Sequence, residues 1–164
     1  MLFYALVMIV AFLADRLSKV WVADYLAAHG TLNVTSWLSF NLTFNRGVAF
    51  GMFQGIGPVV GWLTLVVLIG MAVYLMRLPR EVWIMRLGLA LIVGGAAGNL
   101  VDRVYAGEVL DFITLSFLPW IFNVADIFVD GGMVIALLGS FLQQWPEEKA
   151  QENKGAGEQG SEGA

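Results

Sequence analysis

The chain has 164 residues, 59% of them hydrophobic and only 13% charged, with a mean hydropathy of +0.75 and a formal net charge of −4. That composition excludes an ordinary soluble domain, which is nearer half apolar and a quarter charged, and points to a membrane protein. The lack of cysteine excludes disulfides, iron–sulfur clusters and thiolate catalysis, and a single histidine, His29, leaves no His/Cys cluster for zinc, so any site is built from carboxylates, amides and hydroxyls.

A membrane span takes roughly 20 mainly apolar residues, and the first candidate runs from about Leu2 to Ala23. No basic residue precedes its apolar run and no small-x-small cleavage site follows it, so it reads as a retained helix rather than a signal peptide. Asp15 and Lys19 lie one turn apart within it and can neutralise each other. His29, at its exit, reads as an interfacial polar residue. In the connection from about Asp24 to Gly57, VTSWLSFNLTFNRG alternates apolar and polar residues and is rich in β-branched and aromatic types, which predicts short strand. A helical or turn stretch, VAFGMFQGIG, follows it.

The second and third spans run from about Pro58 to Met76 and from Val82 to Val101. Arg77, Arg80 and Arg86 cluster around their short connection, as the positive-inside rule expects of a cytoplasmic loop. By parity both termini are cytoplasmic, and the two longer connections, about 24–57 and 102–123, face outward. Within the third span GGAAGN, Gly94 to Asn99, is a run of small residues that lets helices approach closely. Asp102 and Arg103 follow at its end, where they can form an interfacial pair with a snorkelling arginine.

VLDFITLSFLPWIF, from Val109 to Phe122, again has strand character, interrupted by Pro119. Backbone at this depth must hydrogen-bond internally, so the two outer segments are expected to pair into a small sheet resting on the outer leaflet. Asn123 precedes the fourth span, about Val124 to Trp145, at a natural N-cap position. The last stretch, Pro146 to Ala164, holds five of the thirteen acids and two of the nine bases and reads as a disordered tail. The fold expected is mainly α: four transmembrane helices in residues 1–145, a small β cradle and short helix at the outer surface, and a cytoplasmic tail at 146–164.

Asp15, Lys19, Asn45, Asn99, Asp102, Arg103, Asp111, Asn123 and Asp126 all map to the outer half of the membrane or its outer edge. An ionisable group within a span costs about 2.5 to 3.5 kcal/mol on the insertion scale, so each is paired, faces a wet cavity or is functional. Asp111 and Asp126 have no opposite charge within four residues and stand among large apolar side chains. If both reach one pocket, they form a like-charge pair that cannot ionise fully near neutral pH and shares one proton. Such a pair can take a proton from water, polarise a carbonyl and protonate a leaving amine, which amounts to amide hydrolysis without metal or covalent intermediate. Asp126, in the first turn of its helix, is favoured for the ionised role.

ADRLSK (14–19), NRGVAF (45–50), GGAAGNLVDRVYAGEVLDF (94–112) and FNVAD (122–126) resemble, in order, the signature blocks of the lipoprotein signal peptidase family, also called signal peptidase II. The resemblance implies an aspartyl endopeptidase of the bacterial cytoplasmic membrane that needs no metal or other cofactor. It removes the signal peptide from a prolipoprotein on the amino side of a cysteine bearing a diacylglyceryl group. It implies Asp111 and Asp126 as the catalytic pair. It further implies Asp15, Lys19, Asn45, Gly47, Asn99, Asp102, Arg103 and Asn123 as supporting residues. Diacylglyceryl-modified prolipoproteins and membrane lipids are the partners expected, nucleic acid is not, and the chain is expected to be a monomer.

Two positions depart from the family pattern: Arg16 replaces the usual glutamine, and Asp130 stands one turn beyond Asp126 where a neutral residue is expected. Asp130 either hydrates a small cavity beside Gly131 and Gly132 or adds a third like charge that moves the pH optimum upward. The competing functions are a metal-dependent lipid phosphotransferase, with Asp102, Asp111 and Asp126 as magnesium ligands, and a non-enzymatic proton-conducting or scaffold protein.

Overall fold

The computed structural model describes residues 1–46 and 57–142. Among these described residues eight elements follow in chain order: α1 (Leu2–His29), β1 (Leu32–Asn33), β2 (Leu38–Asn45), α2 (Gly57–Arg77), α3 (Trp83–Tyr105), β3 (Val109–Leu115), β4 (Ile121–Phe122) and α4 (Val124–Leu142). Gly47, the stretch VAFGMFQGIG up to residue 56 and the tail from residue 143 lie outside the described residues.

Three helical segments, Val59–Arg77, Trp83–Tyr105 and Val124–Leu142, are long and apolar enough to cross a membrane. Their outward faces carry exposed Leu63, Val66, Ile69, Leu137 and Phe141, as lipid-facing helices require. The longest helix, α1, has Asp15, Arg16 and Lys19 in its midst. It continues six residues beyond the expected end at Ala23 and stops at Gly30, whose φ of 74° suits a residue without a side chain. His29 is exposed there, its Nδ1 donating to the Tyr25 carbonyl at 2.9 Å and its ring stacked on that of Tyr25.

The helices meet around α3, and glycine is the reason. A Cβ on Gly95 would lie 2.7 Å from the Ala125 carbonyl oxygen and 2.9 Å from Phe128 Cβ, so α3 and α4 touch almost backbone to backbone there. Gly88 and Gly132 repeat this closeness farther along the same pair, while Gly94 admits α1 at Met8 and Ala11. Small residues thus set the helix separation, as expected where lipid tails offer no hydrophobic drive for association.

The two longer connections form one antiparallel sheet in the order β1-β2-β3-β4. Asn45 pairs with Val109 and Thr43 with Asp111, with an irregularity between Phe40 and Thr43. Short β1 pairs Leu32 with Phe40, a strand not anticipated from the sequence. Pro119 lies in the turn between β3 and β4, and Ile113 pairs with Phe122 beyond it. One sheet face packs on α1 through Phe40, Phe112, Val22 and Leu26. The sheet therefore sits over the C-terminal end of α1, and β4 runs directly into α4.

Candidate active site

The site is built on the first turn of α4. Asn123 Oδ1 accepts the Asp126 N–H at 3.1 Å, and Asp126 Oδ2 accepts the Asn123 N–H at 3.0 Å. This reciprocal pair is a capping box with asparagine and aspartate in place of serine and glutamate. The next free N–H of that turn, on Ala125, is taken by Asp15 Oδ1 from α1 at 3.0 Å. Asp126 therefore leaves the helix start in a fixed direction.

Asn123 also reaches the sheet. Its Nδ2 donates to Asp111 Oδ1 at 2.6 Å and to Asn99 Oδ1 at 3.1 Å. Asn45 Nδ2, on the neighbouring strand, donates to Asp111 Oδ2 at 3.2 Å, while Asn99 Nδ2 donates to Asp126 Oδ1 at 2.8 Å. Each of the four carboxylate oxygens thus receives a hydrogen bond, and three asparagines from three elements supply them with the Asn123 backbone. The asparagine orientations follow from Lys19, which has protons only to give: its Nζ donates to Asn99 Oδ1 at 2.7 Å, forcing the Asn99 amide nitrogen toward Asp126.

Lys19 is buried between two acids, 2.9 Å from Asp15 Oδ2 and 2.8 Å from Asp102 Oδ2, and Arg16 pairs with Asp102 Oδ1. The Asp15–Lys19 pairing expected from their spacing is present but is only part of a larger group. Two cations and two anions sum to zero, which lets the cluster lie at depth. The expected Asp102–Arg103 pair is not formed: Asp102 turns toward Arg16 and Lys19, because α3 faces α1 on that side. Among the described residues no carboxylate lies within ion-pair distance of Arg103, whose buried Nε has no hydrogen-bond partner. Arg103 instead lines the cavity, its stem flanked by Gly61 of α2.

That cavity has a volume of about 550 Å³ and is lined by Asn45, Asn99, Arg103, Asp111 and Asp126 together with apolar residues of β3, β4 and α4. Asp130 lines it too, so a third carboxylate faces the same space. Burial and the charge of Asp126 push the Asp111 carboxyl up to about 6, against the lowering effect of the Asn123 and Asn45 hydrogen bonds. Chemically the cavity offers two carboxylates of unlike environment, one of them able to hold a proton near neutral pH, beside a guanidinium and three amides.

Of the residues singled out in sequence, Asp15, Lys19, Asn45, Asn99, Asp102, Asp111, Asn123 and Asp126 join one connected network, Arg103 joins through the cavity, and Gly47 lies outside the described residues. Missed were the bond from Asp15 to the Ala125 N–H, which spans 110 positions, and the pairing of Arg16 with Asp102. An acid one turn from a basic residue on the same helix face gives no sign of which distant helix it will cap. Trp120 and Ile121, which close the cavity from the β3–β4 side, were visible only as strand residues.

The family model described as Signal peptidase (SPase) II matches residues 7–142. A lipoprotein signal peptidase of Clostridium novyi (strain NT) is 36% identical over 143 residues, covering 84% of this chain and 95% of that one. One from Caldanaerobacter subterraneus subsp. tengcongensis is 42% identical over 133 residues, covering 79% and 90%. A solved bacterial membrane enzyme superposes with a TM-score of 0.72 at 24% identity, over 84% of this chain and 87% of that one, a likeness of fold. With the match running from α1 to the end of α4, through every element that contributes to the network, this chain belongs to the signal peptidase II family.

Proposed function

We propose that this protein is an aspartyl endopeptidase that cuts diacylglyceryl-modified prolipoproteins on the amino side of the lipidated cysteine, with Asp111 and Asp126 as the catalytic pair. The observation that carries the reading is that Asn123 binds both carboxylates at once, Asp111 through its amide and Asp126 through its backbone, at the wall of one cavity.

In this mechanism Asp126, held by two donors in the first turn of α4, is the carboxylate that takes a proton from water. The oxygen of that water attacks the scissile carbonyl as protonated Asp111 donates to the carbonyl oxygen. Collapse of the resulting diol breaks the C–N bond, with the proton on Asp126 passing to the departing amine and Asp111 recovering its own. The two carboxylates titrate as a unit, so the assignment describes one proton arrangement of the pair. Arg103, Asn45 and Asn99 bind extended substrate backbone and limit its motion before attack. The lipidated cysteine keeps its acyl chains in the bilayer while the amide rises to the cavity beside small-residue α3 and the sheet.

This reading also takes α1 as a fourth span, possible because its charges cancel against Asp102 of α3. Both termini then lie in the cytoplasm and the pair near the outer face of the bacterial inner membrane, with the chain acting as a monomer among its lipids. The magnesium phosphotransferase alternative needs Asp102 beside Asp111 and Asp126, whereas Asp102 is engaged by Arg16 and Lys19.

The test is cleavage of a diacylglyceryl precursor by purified protein in detergent, with and without chelator. Asp111→Asn and Asp126→Asn are each expected to reduce turnover below about one ten-thousandth of the parent while leaving the fold intact, an effect of the size seen when a member of a catalytic unit is removed. Cleavage retained by either variant, or abolished by chelator, would overturn the proposal.

A further inference from the structure

The end of the bundle opposite the acid pair holds a second polar feature that peptide hydrolysis does not use. Arg86, in the first turn of α3, is only 5% exposed. Its guanidinium carbon lies 4.6 Å from the centre of the Tyr4 ring, Nη2 donates to Met1 Sδ at 2.7 Å, and Nε is buried without a hydrogen-bond partner. Among the described residues no carboxylate forms an ion pair with Arg86. A thioether is a weak acceptor. A guanidinium withdrawn from water with no anion is among the costliest arrangements a protein can hold, so the environment calls for one.

The contacts show where it would sit. Met1 and Tyr4, which meet the Arg86 guanidinium, belong to the start of α1, whose N-cap makes no side-chain hydrogen bond and whose first turn has no acid. Free backbone N–H groups and the positive end of the helix dipole therefore face the same place as the guanidinium. The surroundings are lipid-like: Leu2, Phe3, Leu6 and Trp83 are large, apolar and exposed, and tryptophan favours the headgroup level.

We propose that Arg86 and the first turn of α1 bind the phosphodiester of a phospholipid headgroup. The exposed Met1 side chain gives way to the phosphate, and the acyl chains lie along Leu2, Phe3 and Leu6. The planar guanidinium fork matches two phosphate oxygens, and its unpartnered Nε supplies one arm of that fork. From Arg86 to Asn99 is thirteen residues of helix, about 20 Å at 1.5 Å per residue, so this site is separate from the acid pair and clasps α1 to α3 at the other membrane face.

Thermal unfolding of the delipidated full chain in detergent, with added dioleoylphosphatidylglycerol, dioleoylphosphatidylcholine or inorganic phosphate, tests it. Both lipids are expected to raise the parent's midpoint and inorganic phosphate to leave it unchanged. Arg86→Gln should raise the half-saturating lipid concentration at least tenfold, Arg86→Lys by less, and Arg80→Gln, which removes an exposed charge at the same end, should change it little. An equal response to inorganic phosphate would assign the site to the free ion and overturn the lipid proposal. So would an equal loss in Arg80→Gln, which would mean diffuse attraction, or an unchanged response in Arg86→Gln. Native mass spectrometry of the parent, independent of whether any variant folds, should find one tightly held phospholipid per chain, and finding none overturns the site.

Discussion

Asp111 stands between opposing influences: burial and the neighbouring Asp126 charge favour its protonated form, and hydrogen bonds from Asn123 and Asn45 favour its ionised form, the balance falling at about 6. Asp126→Asn removes one raising influence and leaves burial, so the Asp111 midpoint should fall below 6 yet stay above the ordinary 3.8. Carbon-13 NMR of labelled aspartate reads this directly, and an unmoved midpoint would mean that the two carboxylates do not sense each other. The same shift has a stability consequence. The folded chain holds this proton more tightly than the unfolded chain, so the contribution is fully present below about 4 and is lost as pH rises through about 6. Lys19 carries the opposite lesson, since it neutralises buried Asp15 and half-buried Asp102 at once. Lys19→Met should destabilise the fold by about 3–5 kcal/mol, the usual cost of stranding a buried charge, measured as denaturant unfolding in micelles; an unchanged midpoint would mean that Arg16 alone suffices.

At the scale of elements, α3 controls the site because it touches every other helix, meeting α1 and α4 through its own glycines and α2 where Gly61 admits Arg103. Gly95→Ala places a methyl group against the Ala125 carbonyl, in the turn that carries Asp126. It should cost about 1–3 kcal/mol by overpacking and lower cleavage along with the thermal midpoint. Gly70 in α2, with open space around it, should accept alanine with little effect on either. These contacts also mark the limit of what the sequence discloses. GGAAGN announced close approach but not which helix each glycine meets, and that choice turns Asp102 toward Arg16 instead of Arg103. The strands were legible from alternation in 38–45 and 109–115. Two-residue β1 was not, because a pair so short has no period and forms only because β2 presents an edge to it.

For the whole molecule, hydropathy marked the apolar stretches within α2, α3 and α4, although α3 runs four residues past the expected end at Val101, to Tyr105, and the polar positions of the site stood out because an ionisable group in so apolar a chain has few reasons to be there. Their mutual bonding was not legible, since bonds between Asp15 and Ala125 or Asn45 and Asp111 depend on how helices rotate and on strand register. The proposed orientation has a direct check made clean by the absence of native cysteine. Glu108→Cys, on the α3–β3 connection, and Arg80→Cys, between α2 and α3, should react with an impermeant thiol reagent from opposite sides of sealed vesicles, the first from the outer side. Reaction of both from one side would remove the topology.

The capping box at Asn123 has one more effect, on when the molecule becomes dangerous. The bonds that begin α4 are the same bonds that aim Asp126 and hold Asp111, and Asp15 of α1 completes the turn. On the proposed mechanism, a chain whose last helix has not yet docked has two carboxylates but no paired arrangement of them, and so has no means of cleaving a prolipoprotein. With Asp111 and Asp126 as the proposed pair, latency during biogenesis then needs no inhibitory segment: arming the enzyme and finishing its fold are a single event.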